Sequence, residues 1–247
     1  MVAPVAQEPD NAGAPMSKYF ALIPAAGTGS RIGSPMPKQY QPINGRPMLW
    51  HALKPFNLHP GIERIYVVLS PLDTWFTQMR WDEFESRLEV LRCGAESRAG
   101  SVLNGLRAID GRVAGDDQIL VHDAARPCLT LQLIDKLLAQ VGDDRAGGLL
   151  AEPLADTLKR ADVGGRILGT EPRDNLWRAQ TPQMFHYDVL VKALAAADDE
   201  VTDEASAVER LGLSPLLVKS DATNLKVTYP EDLQLAETIL ASCGKQP

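Results

Sequence analysis

The amino-acid sequence predicts an α/β protein with a mostly parallel, twisted sheet covered by helices on both faces. Two observations predict this fold: short apolar runs of strand length alternate with longer amphipathic stretches, and polar residues follow several of the apolar runs. A β-α-β rhythm needs crossover connections, which place helices on both faces of a parallel sheet. A third observation is one segment that breaks this rhythm and predicts a projecting β-hairpin.

The order of the elements follows from the apolar patterns. Strands are predicted at residues 19–25, 64–70, 88–93, 118–124, 147–153 and 215–220. Helices are predicted at residues 47–56, 101–109, 131–141, 187–197, 202–212 and 230–240. Thr202 is the predicted cap of its helix because acidic residues follow it. Pro230 suits the first turn of the closing helix.

The segment that breaks the rhythm extends from residue 156 to about 185. Two strand-like pieces, "TLKRA" and "RILGT", lie on either side of Gly164 and Gly165. A two-stranded hairpin cannot bury both of its faces by itself. The arm, at about 156–180, is therefore predicted to pack on a partner.

The composition excludes some classes of protein. Hydrophobic residues make up 45% of the 247 residues, and the formal net charge is -7. Such an acidic chain lacks the basic face that sequence-independent nucleic-acid binding requires. Cys93, Cys128 and Cys243 are widely spaced and form no C-x-x-C pair. They favour reduced thiols in a cytoplasmic protein over a disulfide framework or a zinc site.

The chain is predicted to contain one domain and a tail. Residues 1–17 are rich in Ala and Pro and lack the pattern of a signal peptide, so they predict a disordered tail. Residues 18–245 predict a single domain. No segment reaches the roughly 18 apolar residues that a membrane span requires. We therefore expect a cytoplasmic protein with no membrane partner.

A Gly-rich loop follows the first strand, in "PAAGTGSRIGSPMPKQY". It fails the dinucleotide fingerprint G-x-G-x-x-G, because Gly27 and Gly29 are followed by a glycine at position 33, one place late. It also lacks the G-K-[ST] ending of a Walker A loop. These mismatches disfavour an NAD-dependent oxidoreductase and a P-loop enzyme.

Two cations, Arg31 and Lys38, lie within and just after this loop. Glycines let backbone N–H groups approach an oxyanion closely, and fixed cations neutralise its charge. A plain structural turn is the alternative interpretation. The combination of glycines with a planar guanidinium and a compact ammonium favours a nucleoside triphosphate.

Asp123 ends an apolar strand in "LVHDAARP". In an open parallel sheet, ligands bind at the carboxyl ends of the strands, so Asp123 and the Gly-rich loop should lie at one edge. The carboxylate could bind a metal, hold a substrate hydroxyl, or only cap a turn. His122 points to the opposite side of the strand and is predicted to be a core residue.

The chain resembles the 2-C-methyl-D-erythritol 4-phosphate cytidylyltransferase family. The resemblance extends from about residue 19 to about 240 and rests on successive segments in the family's order: "PAAGTGSRIGSPMPKQY", "VHDAARP", "DTLKR", "TPQMF", "TDEAS" and "NLKVTYPEDL". The first element alone marks only the wider nucleotidyltransferase superfamily, whereas the full series is more specific. The resemblance implies the Rossmann-like fold of nucleotide-diphospho-sugar transferases.

The resemblance also implies a reaction. CMP would be transferred from CTP to 2-C-methyl-D-erythritol 4-phosphate, giving 4-diphosphocytidyl-2-C-methyl-D-erythritol and pyrophosphate in the non-mevalonate isoprenoid pathway, with Mg²⁺ as cofactor. A phosphate monoester is largely dianionic at neutral pH, so its oxygen needs no general base. Two alternatives remain: a ribitol-5-phosphate cytidylyltransferase, whose motifs are very similar, and a nucleotide-binding module without turnover.

The resemblance finally implies roles for single residues. The residues implied to be catalytic are Arg31, Lys38, Arg173 and Lys226. The residues implied to bind the nucleotide are Ala25, Ala26, Gly27, Gly29, Gly94, Glu96, Ser101 and Asp123. The residues implied to bind the second substrate are Asp123, Thr157, Arg173, Thr181, Thr202 and Lys226. Asp123 is also a candidate Mg²⁺ ligand, directly or through water, although the metal would be held mainly by the CTP phosphates. The resemblance also implies a homodimer formed through the hairpin arm, in which Thr157 and Arg173 act on the partner subunit's site.

Overall fold

The computed structural model describes residues 17–27, 36–197 and 201–243, and the elements below belong to these ranges. The strands are β1 Tyr19–Pro24, β2 Pro42–Ile43, β3 Arg46–Pro47, β4 Ile62–Val68, β5 Leu88–Leu91, β6 Gln118–Val121, β7 Gly148–Pro153, β8 Leu158–Ala161, β9 Ile167–Glu171, β10 Trp177–His186 and β11 Leu216–Lys219. The helices are α1 Met48–Leu58, α2 Arg98–Ala108, α3 Leu131–Val141, α4 Tyr187–Ala195, α5 Glu204–Glu209 and α6 Pro230–Cys243.

One seven-stranded sheet organises the molecule, in the order β11-β7-β10-β6-β1-β4-β5. The pairs β1–β4, β1–β6, β4–β5 and β11–β7 are parallel, whereas β10 is antiparallel to both of its neighbours. The predicted fold class, a mostly parallel sheet with helices on both faces, is confirmed. The parallel strands bring their carboxyl ends to one edge of the sheet.

The alternation of side chains along β1 separates two hydrophobic layers. Ala21 and Ile23 belong to a core that includes buried residues of α1 and α3. Phe20 and Leu22 point to the other face, where they belong to a core that includes residues of α2, α4 and α5. Both faces of β1 are therefore buried, which explains why its sequence is an unbroken apolar run rather than an alternating one.

The sequence did not predict β10, the ten-residue strand between β6 and β7. Its "QTPQ" segment is polar and contains Pro182, which removes a ladder donor, and the pairing with β7 shifts between Ala179 and Gln183. The polar residues Gln180, Thr181 and Gln183 are nevertheless buried and hydrogen-bonded. Tertiary contacts thus make a strand from a segment whose local pattern indicates a loop.

The projecting hairpin is confirmed as an antiparallel pair of β8 and β9, which form their own two-stranded sheet. The turn between them contains Gly165, whose φ of 76° lies in the left-handed region that favours glycine. Along this arm the side chains of Val163, Ile167 and Leu168 are exposed. The hairpin therefore offers an apolar surface that the other described residues do not cover.

One predicted boundary is wrong. Thr202 is not the cap of its helix, because α5 begins at Glu204 and Asp203 caps it. The Asp203 carboxylate accepts from the Ser206 backbone N–H at 3.0 Å, and the Ser206 hydroxyl lies 3.2 Å from the Asp203 N–H. This reciprocal capping box stabilises Asp203 as the cap, one residue after Thr202.

Two further expectations concern the chain as a whole. Within the described ranges, no helix combines the length and apolar character needed to cross a bilayer. The predicted disordered tail, residues 1–17, lies outside the described residues except for its last residue.

Candidate active site

A cleft of about 320 Å³ opens where the parallel strands end, a volume within the range of small-molecule sites. The residues directly after β1, up to Gly27, the turn at 38–40, the segment before α2 and the residues after β6 surround it. The predicted residues that line it are Ala25, Ala26, Gly27, Lys38, Glu96, Ser101, Asp123 and Lys226. Segments that lie up to about 200 residues apart in the sequence therefore meet at one sheet edge, as the topology requires.

The other predicted residues lie in three places. Thr181 and Thr202 line a smaller adjoining cavity that shares Asp123 and Lys226 with the main cleft. Thr157 and Arg173 are exposed near the hairpin, outside the residues that line either cavity. Gly29 and Arg31 lie outside the described residues. Gly94 does not line the cleft but lies against Ala26, which does.

Gly94 is required by a close approach of two chain segments. A Cβ atom at this position would lie 2.3 Å from Ala26 Cβ and 2.8 Å from the Leu69 carbonyl oxygen. The Gly94 N–H donates to that same carbonyl at 2.9 Å. Any larger residue would push the loop that follows β1 away from the segment before α2, so glycine keeps the cleft walls in place.

Asp123 lies at the centre of the charged residues of the site. Its Oδ1 accepts from Arg98 Nε at 2.9 Å, its Oδ2 lies 2.7 Å from Lys226 Nζ, and Arg126 Nε lies 3.9 Å away. Burial opposes ionisation of Asp123, but the charges of Arg98, Lys226 and Arg126 outweigh it and hold the pKa of this carboxyl well below its usual range. Asp123 is therefore a fixed anion that positions cations.

Lys38 and the neighbouring Gln39 tie separate segments together beside the cleft. Lys38 Nζ donates to the Val227 carbonyl at 2.7 Å, and Gln39 Nε2 donates to the Ala25 carbonyl at 2.8 Å. The first contact fixes Lys38 against the segment that carries Lys226. The two ammonium groups thus belong to one wall of the cleft, where they can act on the same anionic ligand.

Ser101 shapes the loop before α2. Its hydroxyl accepts from the Ala95 N–H at 2.9 Å and lies 2.9 Å from the Ser97 carbonyl, to which it can donate. Ser97 in turn caps α2 by accepting from the Gly100 N–H. The Ser101 side chain is buried and already hydrogen-bonded, so in this geometry it stabilises the loop, whereas Glu96 on that loop is exposed.

His122 is fully buried, as predicted for a core residue. Its Nε2 lies 3.1 Å from the Arg126 carbonyl, which can only accept, so Nε2 carries the ring proton. Its Nδ1 therefore accepts from the Thr181 hydroxyl at 3.0 Å, and that hydroxyl oxygen accepts from the Asp123 N–H. Burial lowers the pKa of His122 to about 4, so the imidazole is neutral at pH 7. Its two hydrogen bonds stabilise the "HDAAR" turn.

We predict a pH effect on stability from His122. In the unfolded chain this imidazole binds a proton near its ordinary pKa of 6.5, whereas in the folded chain it does so only near pH 4. The free energy of unfolding should fall as the pH drops from about 6.5 to about 4, by at most roughly 3 kcal/mol from this group.

Urea unfolding of the wild type and of His122→Gln at a series of pH values measures this effect. The variant lacks the buried imidazole, so its stability should change less over the same interval, and the other histidines cancel in the comparison. Identical pH dependence of the two proteins would contradict the prediction.

Sequence reasoning missed three charged residues of the site. Arg98 and Arg126 both contact Asp123, and Glu204 pairs with Arg98. The two arginines had a usable signal in an acidic chain, since Arg98 lies between the predicted site residues Glu96 and Ser101, and Arg126 lies in "HDAARP". Glu204 lies in "TDEAS", but it was not singled out because an acidic residue at the start of a helix is ordinary.

The described residues contain no group of three or more metal-ligating side chains. Asp123 is the carboxylate best placed for a metal, and both of its oxygens already face cations. This donor set fits a Mg²⁺ ion held mainly by the phosphates of a nucleotide, with at most one protein carboxylate. It does not fit a Mg²⁺ site whose ligands all come from protein side chains.

The fold and the site define the class of this protein: a nucleotidyltransferase of the α/β type, with a cationic cleft at the carboxyl edge of a mostly parallel sheet. The family model described as IspD, 2-C-methyl-D-erythritol 4-phosphate cytidylyltransferase, matches residues 19–242. The chain belongs to this family.

Named relatives agree with the family. A 2-C-methyl-D-erythritol 4-phosphate cytidylyltransferase of Dechloromonas aromatica is 55% identical over 91% of this chain and 98% of its own length. One from Nitrosospira multiformis is 55% identical over 92% of this chain and 100% of its own length.

Solved structures show the same fold. A crystal structure of a 4-diphosphocytidyl-2C-methyl-D-erythritol synthase superposes with a TM-score of 0.80 at 42% identity, covering 92% of this chain and 100% of that chain. The Francisella tularensis 2-C-methyl-D-erythritol 4-phosphate cytidylyltransferase gives a TM-score of 0.78 at 34% identity, covering 90% of this chain and 100% of that chain.

Proposed function

We propose that this chain transfers CMP from CTP to 2-C-methyl-D-erythritol 4-phosphate, giving 4-diphosphocytidyl-2-C-methyl-D-erythritol and pyrophosphate in the non-mevalonate isoprenoid pathway. The observation that carries this function is the meeting of Lys38, Asp123 and Lys226 with residues 25–27 in one cleft, in a chain of this family. The relatives that are 55% identical carry the name of the same reaction.

The chemistry is an in-line displacement at phosphorus. An oxygen of the substrate phosphate forms a bond to the α-phosphorus of CTP, and the bond from that phosphorus to the oxygen bridging to the β-phosphate breaks. The electron pair leaves with pyrophosphate, and no proton has to move. The difficulty is electrostatic, because an anion attacks a centre crowded by anionic oxygens.

The cations of the cleft can offset this electrostatic repulsion. We propose that Lys38 and Arg31 stabilise the charge that builds on the triphosphate and that Lys226, held by Asp123, orients the attacking phosphate. His122 supports a mechanism without a general base, since it is buried and neutral and both of its ring nitrogens are hydrogen-bonded. Ala25, Ala26, Gly27, Gly94 and the 95–101 loop would hold the nucleoside.

We also propose that Mg²⁺ takes part, held by the CTP phosphates with Asp123 as its nearest protein group. When bound, the ion neutralises phosphate charge and favours departure of pyrophosphate. EDTA should therefore lower the rate of pyrophosphate release by at least about a hundredfold, and excess Mg²⁺ should restore it. Undiminished turnover in EDTA would contradict this role. Thermal unfolding without nucleotide serves as a control and should not change.

We propose that two copies of the chain form a homodimer through the hairpin arm. Ile167 and Leu168 are each 65% exposed on β9, which is unusual for side chains of this type in a monomer. Thr157 and Arg173 lie outside both cavities of their own chain. In a dimer they would reach the partner subunit's cleft and contact the substrate phosphate there.

The remaining proposals concern organisation and location. We propose that residues 18–245 form one catalytic domain, since a single sheet joins strands from β1 to β11. We also propose a cytoplasmic location, which the widely spaced cysteines and the use of a nucleoside triphosphate favour.

Pyrophosphate release tests the proposed reaction. The purified chain with CTP, Mg²⁺ and 2-C-methyl-D-erythritol 4-phosphate should release pyrophosphate and form the diphosphocytidyl product in equal amounts. CTP binding without any release above the blank would instead indicate a nucleotide-binding module without turnover and would overturn the proposal.

A further inference from the structure

Glu204 is a fully buried carboxylate to which the mechanism above gives no role. It is the first residue of α5, and none of its surface is exposed. Its Oε1 lies 2.5 Å from Arg98 Nη1, whereas its Oε2 has no hydrogen-bond partner among the described residues. Burying a carboxylate is costly, and a buried ion pair is often no more stable than an apolar pair of the same size.

Arg98 connects this buried carboxylate to the cleft. The guanidinium donates from Nη1 to Glu204 and from Nε to Asp123, at 2.5 and 2.9 Å. Two donors of a rigid, planar group are thus fixed by two carboxylates. With Oδ1 of Asp123 occupied by Arg98, its Oδ2 faces Lys226 Nζ at 2.7 Å.

The position of Glu204 is itself fixed by the sheet. The N–H of Ala205, the next residue, donates to Gln183 Oε1 at 2.8 Å, and Gln183 Nε2 donates to the Asp203 carboxylate at 2.9 Å. Gln183 belongs to β10, which pairs with β6 directly before Asp123. The start of α5 and the turn that carries Asp123 are therefore held by the same strand.

We propose that Glu204 is a positioning residue that acts through Arg98 to fix the Asp123 carboxylate and, with it, the Lys226 ammonium in the cleft. The inference rests on the proposed function, in which Lys226 orients the attacking phosphate. Glu204 does not touch the substrates. Its effect reaches the reaction through the contacts Glu204–Arg98, Arg98–Asp123 and Asp123–Lys226.

A purely structural ion pair is the competing explanation. In that case, removing the charge of Glu204 would lower the free energy of unfolding and leave kcat per folded molecule unchanged. A positioning residue makes a different prediction. A displacement of about 1 Å at the reacting groups can cost about a hundredfold in rate, so the loss should appear in kcat while the KM for CTP stays within about threefold.

Glu204→Gln is the first test, because it keeps the shape of the side chain and removes its charge. We expect kcat per folded molecule to fall by about ten- to a hundredfold. Glu209→Gln is the matched control, since it makes the same change at an exposed position of the same helix, and it should keep wild-type kcat. An unchanged kcat in folded Glu204→Gln would overturn the proposal.

A double-mutant cycle tests the route through Arg98. In an Arg98→Met background, Glu204→Gln should lower kcat no further, because the connection to Asp123 is already gone. An additional loss of tenfold or more in this background would show that Glu204 does not act through Arg98 and would also overturn the proposal.

A second variant keeps the test decisive if Glu204→Gln does not fold. Arg98→Met/Glu204→Leu removes both charges, and such apolar replacements of buried pairs are often tolerated. Its kcat should equal that of Arg98→Met, and a further fall would contradict the proposal. The wild type is measured alongside with CTP and methylerythritol phosphate, so failure of the proposed function shows as an inactive wild type, independently of Glu204.

Discussion

Replacing Lys38 with alanine is expected to lower kcat by about a hundred- to a thousandfold while leaving the chain folded. The Lys38 ammonium lines the cleft and is fixed by the Val227 carbonyl at 2.7 Å. Loss of one preorganised donor from a transition state has this effect, because the remaining cations do not take up the position of the lost ammonium. Steady-state kinetics of pyrophosphate release measure it.

The fold should tolerate this change. Lys38 is only half-buried, and the lost hydrogen bond to Val227 contributes about 1 kcal/mol. Lys192→Ala is the matched control, since Lys192 is an exposed lysine on α4 that lines neither the main cleft nor the adjoining cavity. If Lys38→Ala keeps near-normal kcat, the role given to Lys38 is wrong.

The second large effect is the recovery of activity when two inactive chains are mixed. Arg173→Ala and Lys38→Ala should each be nearly inactive alone. If the arm of one chain completes the cleft of the other, a mixed dimer has one cleft with Lys38 from one chain and Arg173 from the other. About half of randomly mixed dimers are of this kind, with one intact site of two, so about a quarter of wild-type activity should return.

The measurement requires that mixed dimers form. Differently tagged chains are unfolded, mixed and refolded, and the doubly tagged species is isolated before the assay. Every isolated dimer has one intact site of two, so this species should show about half of wild-type activity. A confirmed mixed dimer that stays inactive would contradict the shared site. Recovery in a control mixture of Lys38→Ala with Lys226→Ala would also contradict it. Both lysines lie in the cleft of their own chain, so each cleft of that mixed dimer lacks one of the two lysines.

The sequence predicted the part of the fold that local patterns determine. Buried parallel strands such as β1 read as unbroken apolar runs, and the Gly-Gly pair marks the turn of the hairpin. It did not predict β10, because Gln180, Thr181 and Gln183 are polar and become buried only through hydrogen bonds to distant segments. Patterns of apolar residues do not detect such a strand.

The residues of the site divide in the same way, into those that the sequence predicts and those that only the fold brings together. The topology rule placed the Gly-rich loop and Asp123 at one edge, and the structure brings the first residues of that loop, 25–27, together with Asp123, Lys38 and Lys226. The Glu204–Arg98–Asp123 chain was not predictable, since its members are up to 106 positions apart and meet only in the fold. Roles that need a partner subunit, such as that of Arg173, come from the family resemblance and stay predictions until a dimer is examined.

The choice of acceptor is the most direct test of the central claim. The purified chain is given CTP and Mg²⁺ with 2-C-methyl-D-erythritol 4-phosphate in one assay and with ribitol 5-phosphate in another, and kcat/KM for pyrophosphate release is compared. We predict efficient release with methylerythritol phosphate and a kcat/KM at least about a hundredfold lower with ribitol phosphate. Equal or faster release with ribitol phosphate, or none with methylerythritol phosphate, would contradict the proposed function.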